Sequence, residues 1–202
     1  EKEKKPTRLS LRINSLLIRH ANFRHHVCGA EEVACGDGGH CVPGKLSFDN
    51  LAVSNLSAQL SLKMLSADSA SFIVRHLNLK EQSGLCVDDL YFRLVANRRG
   101  ATLANFCVKM PRSEVALDTV WVAFNGEESQ TGVQQSQLFF KGGISSSSYV
   151  TLADFGCLLP KVGGISEKVY VNGAVVGSPS RISLKGLDVH SARRDVAIDT
   201  DV

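Results

Sequence analysis

What this chain lacks narrows its function before any pattern in it is read. No Gly-x-x-x-x-Gly-Lys-Ser/Thr loop and no Gly-x-Gly-x-x-Gly turn is present, so no nucleotide-phosphate cradle is encoded. His-Glu-x-x-His and Gly-x-Ser-x-Gly are missing too, which removes the common zinc-hydrolase and serine-hydrolase signatures. No apolar run approaches the roughly 18 residues of a membrane span, and no secretory leader opens the chain. The first residue is Glu rather than Met, so the expectation is a piece of a longer protein, for which these last two absences say little. Excess charge is lacking as well. The net value of +3 comes from scattered basic residues, which argues against a nucleic-acid partner, since that needs a clustered basic face. At 202 residues and 44% apolar, the chain still suffices to bury the core of one domain or slightly more.

Close cysteine pairs are also missing. Six cysteines are present, Cys28, Cys35, Cys41, Cys86, Cys107 and Cys157, an even count that permits disulfides in an oxidising compartment. Three of them fall in the Gly-rich loop 28–44, with His25, His26 and His40 nearby. Their C-x6-C-x5-C spacing lacks the Cys-x2-4-Cys pairs of structural zinc sites, so the loop reads as a surface insertion, with or without one disulfide, and no metal is assigned.

What is there is an eight-residue form, apolar at positions one, three, six and eight around a mostly polar central pair. It is clearest in Leu85–Val122. Leu85, Val87, Leu90 and Phe92 fill it first, then Ala101, Leu103, Phe106 and Val108, then Val115, Leu117, Val120 and Val122. It also occurs at Leu46, Phe48, Leu51 and Val53, at Phe72, Val74, Leu77 and Leu79, and at Leu11, Ile13, Leu16 and Ile18. A last copy is Ile182, Leu184, Leu187 and Val189. Alternation of β-branched and aromatic residues is the strand signal. Positions one and three have the opposite parity to six and eight, so in a flat strand the halves would face opposite ways. A bulge or bend at the central pair restores a single apolar face.

Pairing the octets antiparallel supports this. Across the link 93–100, Leu85 meets Val108 and Leu90 meets Leu103. Across the link 109–114, Ala101 meets Val122, Leu103 meets Val120, Phe106 meets Leu117 and Val108 meets Val115. The expected fold is therefore all-β: an elongated antiparallel sheet of repeated strands, creased along the central pairs into an apolar groove. The octet positions from Leu46 to Val122 are the candidate lining. Asp88–Asp89 occupies a bend, where short polar residues serve structure rather than catalysis. Ser113, in a link, is expected to accept a carboxylate without cost. By parity Trp121 lies on the outer face, as a contact surface or a lone exposed aromatic.

The remaining segments divide the chain into a charged linker (1–8), a repeated β segment (9–124) with the inserted loop 28–44, a polar linker with a short strand (125–148), and a last part (149–202). In the linker the strand is Leu138–Phe140 and GGISSSS reads as flexible. RHANFRHHV reads as a return strand after the first octet. YVTLADFGCLLP changes period and predicts a short helix near 151–159, ended by Pro160. Asn172–Gly173 is a hairpin-turn signal.

With these repeats in hand, the chain resembles the AsmA-like family, and within it the TamB-type translocation and assembly module proteins of Bacteroidetes. The resemblance rests on LRINSLLIRHANF, GKLSFDNLAVSNLSAQLSL, LNLKEQSGLCVDDLYFRLV, ATLANFCVKMPRSEVALDTVWVAF and KGGISSSSYVTLADFGCLLP in succession, covering most of residues 9–160. It implies a large periplasmic protein, anchored in the inner membrane by an N-terminal helix outside this piece, with a long sheet rolled into a hydrophobic groove (a β-taco). It further implies transfer of phospholipid between inner and outer membranes, and a part in outer-membrane biogenesis with a barrel-insertase partner. No enzyme activity, catalytic residue or cofactor is implied. The readings that compete are a module capturing a partner strand at its open edges and a structural spacer with the dry core of a β-sandwich. Finally, the first hairpin register sets Cys86 directly opposite Cys107 on the outer face, neighbours that an oxidising periplasm would allow to form a disulfide.

Overall fold

The computed structural model describes residues 10–27, 46–126, 136–178, 181–194 and 197–200. The charged linker 1–8 and the cysteine-bearing loop 28–44 lie outside them. The described residues form one antiparallel sheet of 13 strands. The strands are β1 (Leu11–His26), β2 (Asn50–Leu65), β3 (Ser69–Glu81), β4 (Cys86–Val87), β5 (Asp89–Asn97), β6 (Gly100–Lys109) and β7 (Glu114–Leu117). They continue with β8 (Val120–Gly126), β9 (Ser136–Ile144), β10 (Tyr149–Thr151), β11 (Lys168–Ser178), β12 (Arg181–Ser191) and β13 (Ala197–Thr200). Three pairs are halves of one interrupted strand: β4 with β5, β7 with β8, and β9 with β10. The chain is thus a meander in which each long strand lies beside its sequence neighbour. The sheet is all-β and antiparallel, as the octets predict.

Two of the three interruptions fall on the central pairs. The backbone bends at Asp88 between β4 and β5, and the strand is broken at Asp118–Thr119 between β7 and β8. In β6 the same place is taken by Asn105, in the left-handed region at φ 54°. The register slips by one residue opposite it, between Tyr91 and Arg93. This is a bulge, two residues facing one, and Asn tolerates the left-handed conformation because its short polar side chain suits it. His20 (φ 49°), Asn55 (φ 54°) and Gly186 (φ 54°) do the same in β1, β2 and β12. Each precedes the third apolar residue of an octet. By register Asn105, Asp118–Thr119 and Gly186 lie abreast. Asp88, whose N–H donates to the Lys109 carbonyl, lies instead with Asn55 and His20 further along the strands, so the crease crosses the sheet in two offset lines.

These bulges correct two frames. In β1 and β2 the working octets are Leu16–Phe23 and Leu51–Ala58, each five residues downstream of the copies expected at 11–18 and 46–53. RHANFRHHV is no return strand, because β1 runs unbroken from Leu11 to His26. The first hairpin moves by five residues on one side of the bulge and four on the other. Leu90, not Leu85, faces Val108, Leu94 faces Leu103, and the turn is the tight one between Asn97 and Gly100. The second hairpin has the predicted register at all four pairs.

Two further expectations change. Asn172–Gly173 is no turn. β11 passes through it, paired with β9 and β10 on one side and β12 on the other, and Gly173 (φ 148°) lies beside the Gly186 bulge. β9 continues through Gly142, Gly143 and Ile144, where the composition reads as flexible. The helix near 151–159 is present only as 3₁₀ turns, Leu152–Phe155 and Pro160–Val162, the second beginning at the proline expected to end the first. Gly156 and Pro160 leave too few consecutive residues for an α-helix to outgrow its costly nucleus.

Candidate functional site

The apolar positions become continuous rows only when the strands are assembled. Away from the crease, one row runs Ile13–Leu62–Phe72–Leu94–Leu103–Val120 through paired neighbours. It continues over Gly142, whose missing side chain would meet Val120, to Val175 and Leu184. Across the crease the second halves align as Leu90–Val108–Val115 and Phe106–Leu117–Ile144. Phe72 and Phe92 meet edge to face, their centroids 5.4 Å apart, and Phe92 and Phe106 lie 6.2 Å apart, so the aromatic contacts span both halves. At the crease between β7, β9, β11 and β12 the face deepens into an apolar recess of about 190 Å³. Leu117, Val120, Phe140, Ile144, Val175 and Leu184 wall it, and Gly142, Gly143 and Gly173 form part of its lining.

No second layer covers this face among the described residues. Of the expected lining, Val53 and Val74 are buried, and most of the rest, Leu51, Phe72, Leu77, Leu79, Leu85, Val87, Leu90 and Phe92 among them, are half-buried. So are Leu103, Phe106, Val108, Val115, Leu117, Val120 and Val122. Leu46 and Phe48 precede β2 and lie off the sheet, and Phe48 is 76% exposed, which removes it from any lining. The largest fully buried side chains are Thr151, Ser61, Ser113 and Ser148, all polar. An apolar face half open to solvent, beside a core this thin, can hold an elongated apolar molecule. It offers few directional contacts that would fix such a molecule in one place.

The outer face is polar at the crease and along the strands beside it. Asp89 and His76 pair at 2.6 Å between β5 and β3, and the same His76 lies 3.3 Å from Asn78. Lys109 and Glu114 pair at 3.2 Å, which raises the ammonium pKa, and Tyr91 is raised by its hydrogen bond with Cys107. Trp121 is exposed here, in register with Thr102 and Lys141. Cys86 does not face Cys107. It is opposite Lys80, while Cys107 lies between Tyr91 and Ala116, and both thiols are free. Burial followed by the nearby Asp88 carboxylate pushes the Cys86 thiol up, so it stays protonated and a poor nucleophile at neutral pH. His25 and His26 are exposed at the end of β1, and no group of metal-binding side chains occurs among the described residues.

One rim of the sheet holds a feature the sequence did not suggest. The turn 110–113 and the 3₁₀ segment after β10 are clamped through Asp154. Its Oδ2 accepts from the Ser113 hydroxyl at 2.7 Å and from the Arg112 N–H at 2.9 Å. The Thr151 N–H donates to Ser113 Oγ at 2.9 Å, and the Thr151 hydroxyl donates to the Arg112 carbonyl at 2.8 Å. Ser113 is 2% exposed, so it is a buried linchpin and not the tolerant link residue expected. Beyond the clamp, the Leu46 N–H donates to the Cys157 carbonyl at 2.8 Å. Leu46 precedes β2 and Cys157 follows β10, strands five inter-strand steps apart, or about 24 Å. The segments 46–49 and 152–165 therefore meet as a strap along this rim. No family model, curated protein or solved structure matches the chain.

Proposed function

We propose that this chain is a segment of a lipid-conducting β-groove, whose inner face carries phospholipid acyl chains past the crease. In this reading it belongs to a periplasmic, inner-membrane-anchored protein of the AsmA/TamB-like kind, serving phospholipid transfer between membranes and outer-membrane biogenesis. The observation that carries the proposal is the row from Ile13 to Leu184, apolar across the sheet and covered by no second layer among the described residues. A dry sandwich spacer would need an interdigitated second sheet, and the described strands form one. Each half-octet spans about 13 Å, enough to flank an acyl chain. Burial at about 25 cal/mol per Å² of apolar surface would hold the chain with no directional bond to break as it slides.

A second reading has its own support. Strand β1 is 16 residues long, contains no proline and pairs only with β2 among the described residues, so it presents an open edge suited to capturing a partner strand. That edge fits the alternative role of a module assisting a barrel insertase.

Native mass spectrometry and lipid extraction of the purified protein test the first reading, with bound phospholipid as the expected result. Leu103→Asp, on the inner row, should abolish that co-purification. Thr102→Asp, its outward neighbour, should leave it intact. A protein that never carries phospholipid, or equal retention in both variants, would overturn the groove reading.

A further inference from the structure

Strand β1 bounds one side of the sheet, and its far backbone edge meets no other strand among the described residues. The edge is 16 residues long and has no proline. From Ile13 to Phe23 the residues that continue the inner face are Leu16, Ile18 and Ala21, so no inward charge guards it. Leu16 is 42% exposed and Phe23 50%, because only β2 flanks them. Unpaired N–H and C=O groups beside a half-covered apolar row are what an added strand would complete.

The opposite face of the same strand indicates what kind. Arg12, Arg19 and Arg24 alternate with the inner residues and are exposed. With Lys63 they are the cations of β1 and β2, and neither strand contains an aspartate or glutamate. None of the four makes an ion pair among the described residues. The carboxylates flanking these strands do little to offset them. Glu81 is 6% exposed and accepts from the Ala52 and Ser83 N–H groups, and Asp68 pairs with Arg98. Asp49 is left, beyond the end of β1 beside Val27, one carboxylate against four cations. A second β1 laid on this edge would set arginines among arginines, and like charges across strands repel. A nucleic acid or a membrane would meet the arginines but leave the backbone edge unpaired. An extended strand alternating apolar and acidic residues satisfies the backbone, the apolar row and the arginines together.

We propose that the β1 edge takes up an acidic β-strand of a partner protein, its apolar residues extending the inner row beside Leu16–Phe23 and its carboxylates meeting Arg12, Arg19 and Arg24. The proposal rests on the second reading above, that β1 captures a strand, and adds the chemistry of that strand. The arginines act twice. They refuse a second β1 and favour an acidic partner, which lets an edge be both open and selective.

The test is fluorescence anisotropy with labelled synthetic peptides of about ten residues, alternating valine with glutamate, glutamine or lysine. The purified chain should bind the glutamate peptide about tenfold more tightly than the glutamine one, and the lysine peptide least. High salt should narrow that preference. Hydrogen exchange should slow at β1, and not at β13, when the glutamate peptide binds. Methylating the backbone nitrogens of that peptide should abolish binding, because an added strand needs its N–H groups. The triple substitution Arg12→Glu, Arg19→Glu and Arg24→Glu should reverse the preference in favour of the lysine peptide. Should that variant fold poorly by circular dichroism, Arg24→Gln should narrow the preference instead. Glutamate and lysine peptides bound equally by the wild type would overturn the acidic-strand proposal and leave the edge reading standing. Binding of no peptide, or of the methylated peptide as tightly as the unmethylated one, would overturn both.

Discussion

Asn105 offers a sharp test of the crease, because its side chain is exposed and its backbone alone carries the argument. It sits at φ 54° in β6. Replacing it changes little packing, so any effect must come from the left-handed conformation. Asn105→Val puts a β-branched side chain where Cβ crowds the following carbonyl, at a cost of about 1–2 kcal/mol. For a chain of this size that corresponds to a fall in melting temperature of about 2–8 °C. Asn105→Gly removes the steric conflict and should be neutral or slightly stabilising. Ala104→Val provides the control. It lies one residue away and does not have a positive φ, so valine there should be tolerated as in any strand. Thermal unfolding followed by far-ultraviolet circular dichroism ranks the three. If the bulge can be forced flat, the parity of Phe106 and Val108 reverses, and phospholipid carriage should fall with stability. Equal effects of valine at 104 and 105, or a glycine variant as unstable as the valine one, would refute the bulge as the origin of the crease.

Two other perturbations probe the rim and the last hairpin. Ser113→Asp sets a second carboxylate against Asp154 and removes the hydroxyl that donates to it. It should cost about 3 kcal/mol or more, against about 1–3 kcal/mol for Ser113→Ala, and an aspartate variant as stable as wild type in urea would contradict the clamp. Asp188, on β12, has its pKa lowered first by its hydrogen bond with His190. A depressed carboxylate contributes stability above its unfolded pKa and loses it as pH falls through the folded one. The small advantage of wild type over Asp188→Asn should therefore be present near neutrality and vanish as the pH drops below the ordinary value of 3.8. A difference that grows on acidification would show the sign to be wrong.

The alternation of apolar residues made the sheet, its antiparallel pairing and its crease legible in the sequence. The octet itself explains the errors. Its two halves have the same apolar-x-apolar form, so a slide of five residues lays one half on the other, and periodicity cannot choose between frames. For the second hairpin the short link 109–114 made the choice. For the first, Leu94 and Ala96 continue the inward row past the octet, and the turn residues Arg98 and Arg99 carry no turn signature. That slip also misplaced Cys86 against Cys107. The strap escaped notice for a different reason. The contact between Leu46 and Cys157 joins residues far apart in sequence, and neither has a composition that announces a partner. What does show locally is the failure of LADFGCLLP to hold a helical period beyond one turn.

The strap also bears on how the chain folds and comes apart. A meander is quasi-one-dimensional: each strand's stability depends on its two neighbours, and unfolding can begin at either end and spread strand by strand. The Leu46–Cys157 bond is an exception, because it ties the entrance of β2 to the exit of β10. Everything between forms a closed loop that has to be assembled before the bond can form, so β2 through β10 should exchange their amide protons as one cooperative unit. β11, β12 and β13 lie beyond the tie, held by their ladders and by side-chain contacts with β8–β10. Those strands are free to open first, which would leave a new sheet edge at β9 and β10 while the strapped part remains intact.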